Sequence, residues 1–323
     1  MGPLEWGLLV LLSIFWGGSF FFIAVVLTDL GPLSLVAARV GLAALVLLAY
    51  LRWRGLALPA DGPTWLAFFV MGAINNALPF TLISLSQTRI DSSLAAILNA
   101  TTPLFTVLLA HWLTRDERLT ASRLVGVVTG LAGAIVLIGP AALAGLGADA
   151  LAQFAMLGAT LSYACAGIFG RRFRALPPAI PAFGMTAGAF VMMLPVSLAV
   201  ERPWTMPAPG FAAMAALAGL AIVSTAAGYI LYFRILATAG ATNLLLVTFL
   251  LPVTALLLGT TILGERPDGT ALLGMILILL GLAAIDGRLF RRRQALSSAG
   301  APFRGEARDP RPAPGRPRSS TGP

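Results

Sequence analysis

PLFTVLLAHWLTRDERLTASRLVGVVTGLAGAIVLIG, residues 103–139, and PVTALLLGTTILGERPDGTALLGMILILLGLAAIDG, residues 252–287, are two versions of one stretch. At a shift of 149, Pro103 falls on Pro252, Leu108 on Leu257 and Leu109 on Leu258. After a one-residue gap, a shift of 148 pairs Glu117–Arg118 with Glu265–Arg266, Leu124 with Leu272 and Gly126 with Gly274. The same shift pairs Leu131 with Leu279, Gly133 with Gly281 and Gly139 with Gly287. Shared apolar composition alone supplies fewer identities, so the chain reads as a duplication.

Outward from this pair, the sequence resolves into ten apolar stretches near 7–28, 33–51, 64–87, 92–113, 122–139, 151–171, 180–200, 211–235, 243–263 and 269–286. Crossing a hydrocarbon core takes roughly 20 helical residues, and lipid admits only helices or closed barrels as spanning structures. The runs are continuous rather than alternating, which selects helices. Composition agrees: 58% of the 323 residues are hydrophobic and 11% charged, with mean hydropathy +0.89. Each copy holds five stretches, an odd number, so the second copy sits upside down relative to the first. The expected fold is an all-α integral membrane protein of ten transmembrane helices in two inverted five-helix repeats, 1–140 and 148–288. Residues 294–323, rich in Pro, Gly, Arg and Ser without an apolar period, read as a disordered basic tail.

All 22 basic residues are arginine, and their placement says more than the net charge of +9. With a cytoplasmic N-terminus, the inner loops hold Arg52, Arg54, Arg115, Arg118, Arg123, Arg171, Arg172 and Arg174, followed by Arg288 and Arg291 to Arg293. The outer loops hold only Arg89, Arg202 and Arg266. This bias puts both termini in the cytoplasm and reads as topology rather than as a nucleic-acid surface. Only Glu5 is charged ahead of the first run, so that run is read as a retained span and not a cleaved signal. One cysteine, Cys165, and one histidine, His111, leave no disulfide framework and no metal ligand set.

Polar residues fall on single helix faces. In span 1, Ser13, Trp16, Gly17 and Phe20 keep i, i+3, i+4, i+7 spacing; span 6 repeats it with Thr160, Tyr163, Ala164 and Gly167. Asn76, Pro79, Phe80 and Ile83 of span 3 align with Thr225, Gly228, Tyr229 and Tyr232 of span 8. Span 4 carries Asn99, Thr102, Pro103 and Thr106; its partner, span 9, keeps Thr248 and Pro252. Such groups are costly in lipid and face the interior or a wet cavity, or bond to neighbouring helices. Paired stripes in both copies imply a substrate cavity walled by spans 1, 3, 4, 6, 8 and 9. Pro103 and Pro252 each remove a backbone donor and free the carbonyls of Asn99 and Thr248, marking kinks.

No Asp or Glu lies near the middle of a span, which argues against a buried carboxylate relay. Arg39 is six residues into span 2, roughly 9 Å deep at 1.5 Å per residue. It snorkels outward, pairs with Asp29, or meets a substrate anion. Gly126, Gly130 and Gly133 of span 5, and Gly274 and Gly281 of span 10, allow close helix approach. Packing within the fold is the first reading of these glycines, and a homodimer contact the second.

The duplicated five-span unit combines with FWGGSF at 15–20, AARVGLAALVL at 37–47, GYILYFRILATAGAT at 228–242, and a proline-led apolar run ending in LGER at 263–266. Over residues 5–288 the chain resembles the EamA-like family of the drug/metabolite transporter superfamily. DER at 116–118 departs from the family's glycine-glutamate pattern, which GER at 264–266 keeps. The resemblance implies a ten-helix transporter with a central pocket, typically in a bacterial cytoplasmic membrane, moving amino acids and other small metabolites, often outward.

The leading functional expectation is therefore a carrier of a small amino acid-like, zwitterionic or moderately apolar solute, working by alternating access between the halves. It is expected to be no enzyme and to need no cofactor, because one histidine and no mid-span carboxylate give little to build a general base from. Without lysine, no phosphate-binding G-x-x-x-x-G-K-[ST] loop exists. The alternatives are a lipid flippase component or a non-transporting partner subunit.

Overall fold

A computed structural model describes residues 2–113, 120–138, 148–239, 244 and 246–286. The Glu117–Arg118 pair, Gly139, Gly287 and the 294–323 tail lie outside the described residues. Helix α1 spans Pro3–Val26 and α2 Pro32–Trp53, each opened by a proline whose fixed φ suits the first helical position. Helix α1 thus starts at Pro3 rather than near residue 7, carrying Glu5 in its first turn. Helix α3, Gly62–Ser86, is capped by Asp61, whose carboxylate accepts from the Thr64 N–H at 2.8 Å.

Next come α4 (Ser92–Asn99), α5 (Thr102–Leu113) and α6 (Ala121–Ile138). The second half supplies α7 (Ala148–Phe169), α8 (Ala179–Val200), α9 (211–239), α10 (Val247–Ile262) and α11 (Gly269–Asp286). No strand occurs among the described residues. Among the described residues, eight helical stretches are long and apolar enough to cross a membrane, α4 and α5 together forming one of them; α10 and α11 are apolar but shorter.

The stretch expected as one kinked helix at 92–113 is interrupted at Ala100–Thr101 by two residues in turn conformation, and remains one membrane-length stretch. Pro103 cannot donate to the Asn99 carbonyl, and the Thr102 hydroxyl takes that place at 2.8 Å. Its counterpart α10 runs unbroken through Pro252. The two prolines are equivalent in sequence but not in effect.

The halves interleave rather than sit side by side. Helix α1 packs on α10 and α9, and α2 on α8 and α9. Helix α3 packs on α7 and α8, α4 on α7 and α10, and α6 on α11. Each of these pairings is exchanged with another, or with itself, when the first half is shifted onto the second.

The α6–α11 contact shows this at atomic scale. A Cβ added at Gly126 would stand 2.5 Å from the Gly281 carbonyl oxygen; one at Gly133 would stand 2.8 Å from the Gly274 carbonyl oxygen. Since 126 corresponds to 274 and 133 to 281, the two contacts are the same contact seen from opposite sides. The glycine rows of spans 5 and 10 therefore meet each other inside the chain.

One end of the bundle, the end carrying the 27–31 turn, is tied across the halves by carboxylates. Glu201, just past α8, accepts from the backbone N–H groups of Leu33 and Ser34 at 2.8 and 2.7 Å. Glu265 accepts from the N–H groups of Ser92 and Ser93 at 2.8 and 3.0 Å, and from both serine hydroxyls. Asp29 accepts from the Gly210 N–H at 2.8 Å. Glu201 and Glu265 meet the unsatisfied donors and positive dipole end of α2 and α4, the most favourable site for an anion on a helix.

Candidate functional site

Two helices of equivalent position, α3 and α9, each leave α geometry near mid-length. Ala73–Ala77 and Gly219–Ala227 are π-helical, a local widening frequently found at functional sites. In α3, Pro79 lacks the N–H that would reach back in that register to Ile74, and the Ser162 hydroxyl of α7 donates to the Ile74 carbonyl instead at 2.6 Å. In α9, Gly228 stands where α3 has Pro79; there the Thr225 hydroxyl turns back to the Leu220 carbonyl at 2.8 Å.

Between the two widened turns lies a buried polar cluster. The Tyr229 hydroxyl donates to Asn76 Oδ1 at 2.8 Å and accepts from Asn75 Nδ2 at 3.1 Å. Arg39 of α2 enters from the side, only 5% exposed. Its Nε donates to the Thr225 hydroxyl at 2.9 Å, and its Cζ sits 3.6 Å from the centre of the Phe80 ring. Tyr163 and Tyr229 lie within its electrostatic reach. Arg39 thus neither snorkels outward nor pairs with Asp29, which is engaged with Gly210. Among the described residues no Asp or Glu forms an ion pair with it.

The remaining expected site residues distribute around this cluster. Trp16 of α1 packs against Tyr232 of α9, ring centres 5.6 Å apart, with its Nε1 over Gly228. Phe20 and Phe80 share one buried core. Thr160 is fully buried and accepts from the Thr101 hydroxyl at 3.3 Å, joining α7 to the break before α5. Asn99 lies at that break, its Oδ1 buried and without a hydrogen-bond partner. Ser13, Thr102 and Thr106 bond back to carbonyls of their own stretch, those of Val10, Asn99 and Thr102. Thr248 is half-buried on α10.

The structure thus brings together Arg39, Asn76, Phe80, Tyr163, Thr225 and Tyr229, with Trp16 at the edge. Ser13, Thr102 and Thr106 serve their own helix. Asn75 and Ser162 also bond into this region, to Tyr229 and to the Ile74 carbonyl, and the sequence reading does not include them. Asn75 is the neighbour of a recognised asparagine, displaced onto the site by the extra residue of a π turn that no regular period reveals. Ser162 lies two residues beyond Thr160, and its signal is Pro79, whose missing donor requires a substitute.

Outside the membrane-length segments, two carboxyls respond to these contacts. The Gly210 N–H, with the Thr28 hydroxyl second, holds Asp29 below the usual carboxylate range. Burial, with Glu265 nearby second, pushes Asp91 above it.

An interleaved helical bundle with a buried polar locus at its centre is the build of a membrane carrier, and comparison with known proteins agrees. The model of the EamA-like transporter family matches the chain twice, over residues 5–139 and 150–285. The chain belongs to that family, and it is a multi-pass membrane transporter. Among similar proteins is the uncharacterized inner membrane transporter YedA of Escherichia coli, 29% identical over 286 residues, covering 85% of this chain and 90% of YedA. Protein PecM of Dickeya dadantii is 29% identical over 288 residues, covering 86% of this chain and 91% of PecM. A crystal structure, 21% identical, superposes with TM-score 0.64 over 88% of this chain and 98% of its own, and shares the fold.

Proposed function

We propose that this chain carries a small organic solute, amino acid-like and zwitterionic to moderately apolar, across a bacterial cytoplasmic membrane. It does so outward, by alternating access between two inverted five-helix halves, through ten spans with both termini in the cytoplasm. The observation that carries this reading is the polar cluster between the paired π turns of α3 and α9, buried at membrane depth, where ionisable side chains mark substrate paths. The carboxylate ties at the 27–31 end fit a carrier closed on one side. The arginine bias makes that side the extracellular one, which supports reading this conformation as shut to the outside.

Counterflow in proteoliposomes tests the proposal. Vesicles loaded with one unlabelled amino acid at a time should take up the labelled compound saturably, with no ion gradient imposed. Silence across the amino acids would end the amino acid-like reading. Asn99→Ala should lower exchange several-fold while leaving the folded membrane yield unchanged, because the buried Oδ1 has no structural partner to lose. Wild-type exchange in that variant would remove Asn99 from the site.

A flippase needs a place for a headgroup beside a path for the tail. The groove between α2 and α8, lined by Gly41, Leu45, Phe183, Phe190 and their neighbours, has no charged or hydroxyl side chain to hold one. This groove therefore lends the flippase reading no support.

A further inference from the structure

We propose that Arg39 is the substrate-recognising cation of this carrier, and that the solute it selects is a monocarboxylate whose amino group is dispensable. This rests on the transporter reading above and narrows it.

A guanidinium carries five donors in a planar fork. Here Nε is occupied by Thr225, and the ring of Phe80 covers one face. No described residue accepts from the two terminal nitrogens, and no described carboxylate neutralises the charge. A buried ion without a counterion is among the costliest features a fold can hold, and ionisable groups at membrane depth mark substrate paths. A second donor nearby is also unspent. Asn76 is fully buried, its Oδ1 engaged by Tyr229, while its Nδ2 has no partner. The locus is thus rich in donors and lacks an anion.

A carboxylate matches the fork with two parallel, charge-assisted hydrogen bonds. Phe20, Phe80, Trp16 and Tyr163 then supply apolar and aromatic surface for the rest of the molecule. An ammonium group finds no described carboxylate in this interior. Recognition therefore runs through the acid and not through the amine.

The test uses the full chain in lipid nanodiscs and four acid–amide pairs: alanine and alaninamide, leucine and leucinamide, phenylalanine and phenylalaninamide, 3-phenylpropionate and 3-phenylpropionamide. Binding is read by tryptophan fluorescence and by the melting temperature. At least one acid should bind, its amide at least tenfold more weakly, and 3-phenylpropionate should match phenylalanine within about threefold. Arg39→Gln should abolish the preference for acid over amide, and Arg39→Lys should retain part of it. The wild-type comparison decides the matter even where a substitution at 39 prevents folding. Equal binding of acid and amide in every pair overturns the proposal, as does failure of all four acids to bind. Counterflow separates the two readings. Exchange without acid preference removes Arg39 and leaves the carrier; acid-selective binding without exchange removes the carrier and leaves the anion site.

Discussion

Asp29 holds the start of α9 through a single backbone N–H, that of Gly210, and the consequence is a pH-dependent contribution. Its carboxyl lies below the usual range because that N–H stabilises the charged form. A carboxylate lowered in the folded state contributes above its unfolded pKa and loses that contribution as pH falls through the folded value. The melting-temperature gap between wild type and Asp29→Asn should therefore be present at pH 7 and close as the pH drops below the carboxylate range. A gap independent of pH would mean the charge is immaterial. At this scale the stripes of Asn76, Tyr163, Thr225 and Tyr229 were legible, because side chains on one helix face recur at 3 and 4 residues. The three carboxylate ties were not. Their partners are separated by more than 160 residues, and no local pattern encodes such a pairing. The burial of Arg39 was hidden for the same reason, since Thr225 and Phe80 come to it from other helices.

Among the helices, glycine decides how close two backbones come. A methyl group at Gly281 would stand 2.5 Å from the Gly126 carbonyl oxygen and 2.7 Å from the Gly130 nitrogen, contacts that only backbone displacement relieves. Gly281→Ala should cost about 1–3 kcal/mol or more through overpacking, seen as a lower melting temperature and folded yield in detergent. Gly7→Ala, in α1 with open space around its added methyl, should stabilise slightly or change nothing, since alanine is the better helix former by roughly 0.5–1 kcal/mol. A similar gain at both positions would show that propensity, not proximity, governs. The element reading from sequence located the long helices because their apolar runs are uninterrupted. It treated Pro103 and Pro252 alike, and the outcomes differ. A proline specifies a missing hydrogen bond; whether the helix breaks or merely adjusts depends on what surrounds it, here Thr102 and the Thr101–Thr160 contact.

For the molecule as a whole, the ties at the 27–31 end should separate during the cycle. Ser34 of α2 and Ser197 of α8 meet there with hydroxyl oxygens 2.9 Å apart, close enough for a disulfide once both are cysteine. In a Cys165→Ser background, oxidising the Ser34→Cys/Ser197→Cys pair should stop counterflow, and reduction should restore it. Exchange at the wild-type rate while oxidised would show that this end does not open. The Gly126–Gly281 and Gly133–Gly274 contacts behave in the opposite sense. Exchanging the conformations of the two halves turns each of these contacts into the other, so nothing about the pair has to change. In an alternating-access cycle the α6–α11 seam would then serve as a fulcrum, a place where both halves stay locked together while the helices on either side of it tilt.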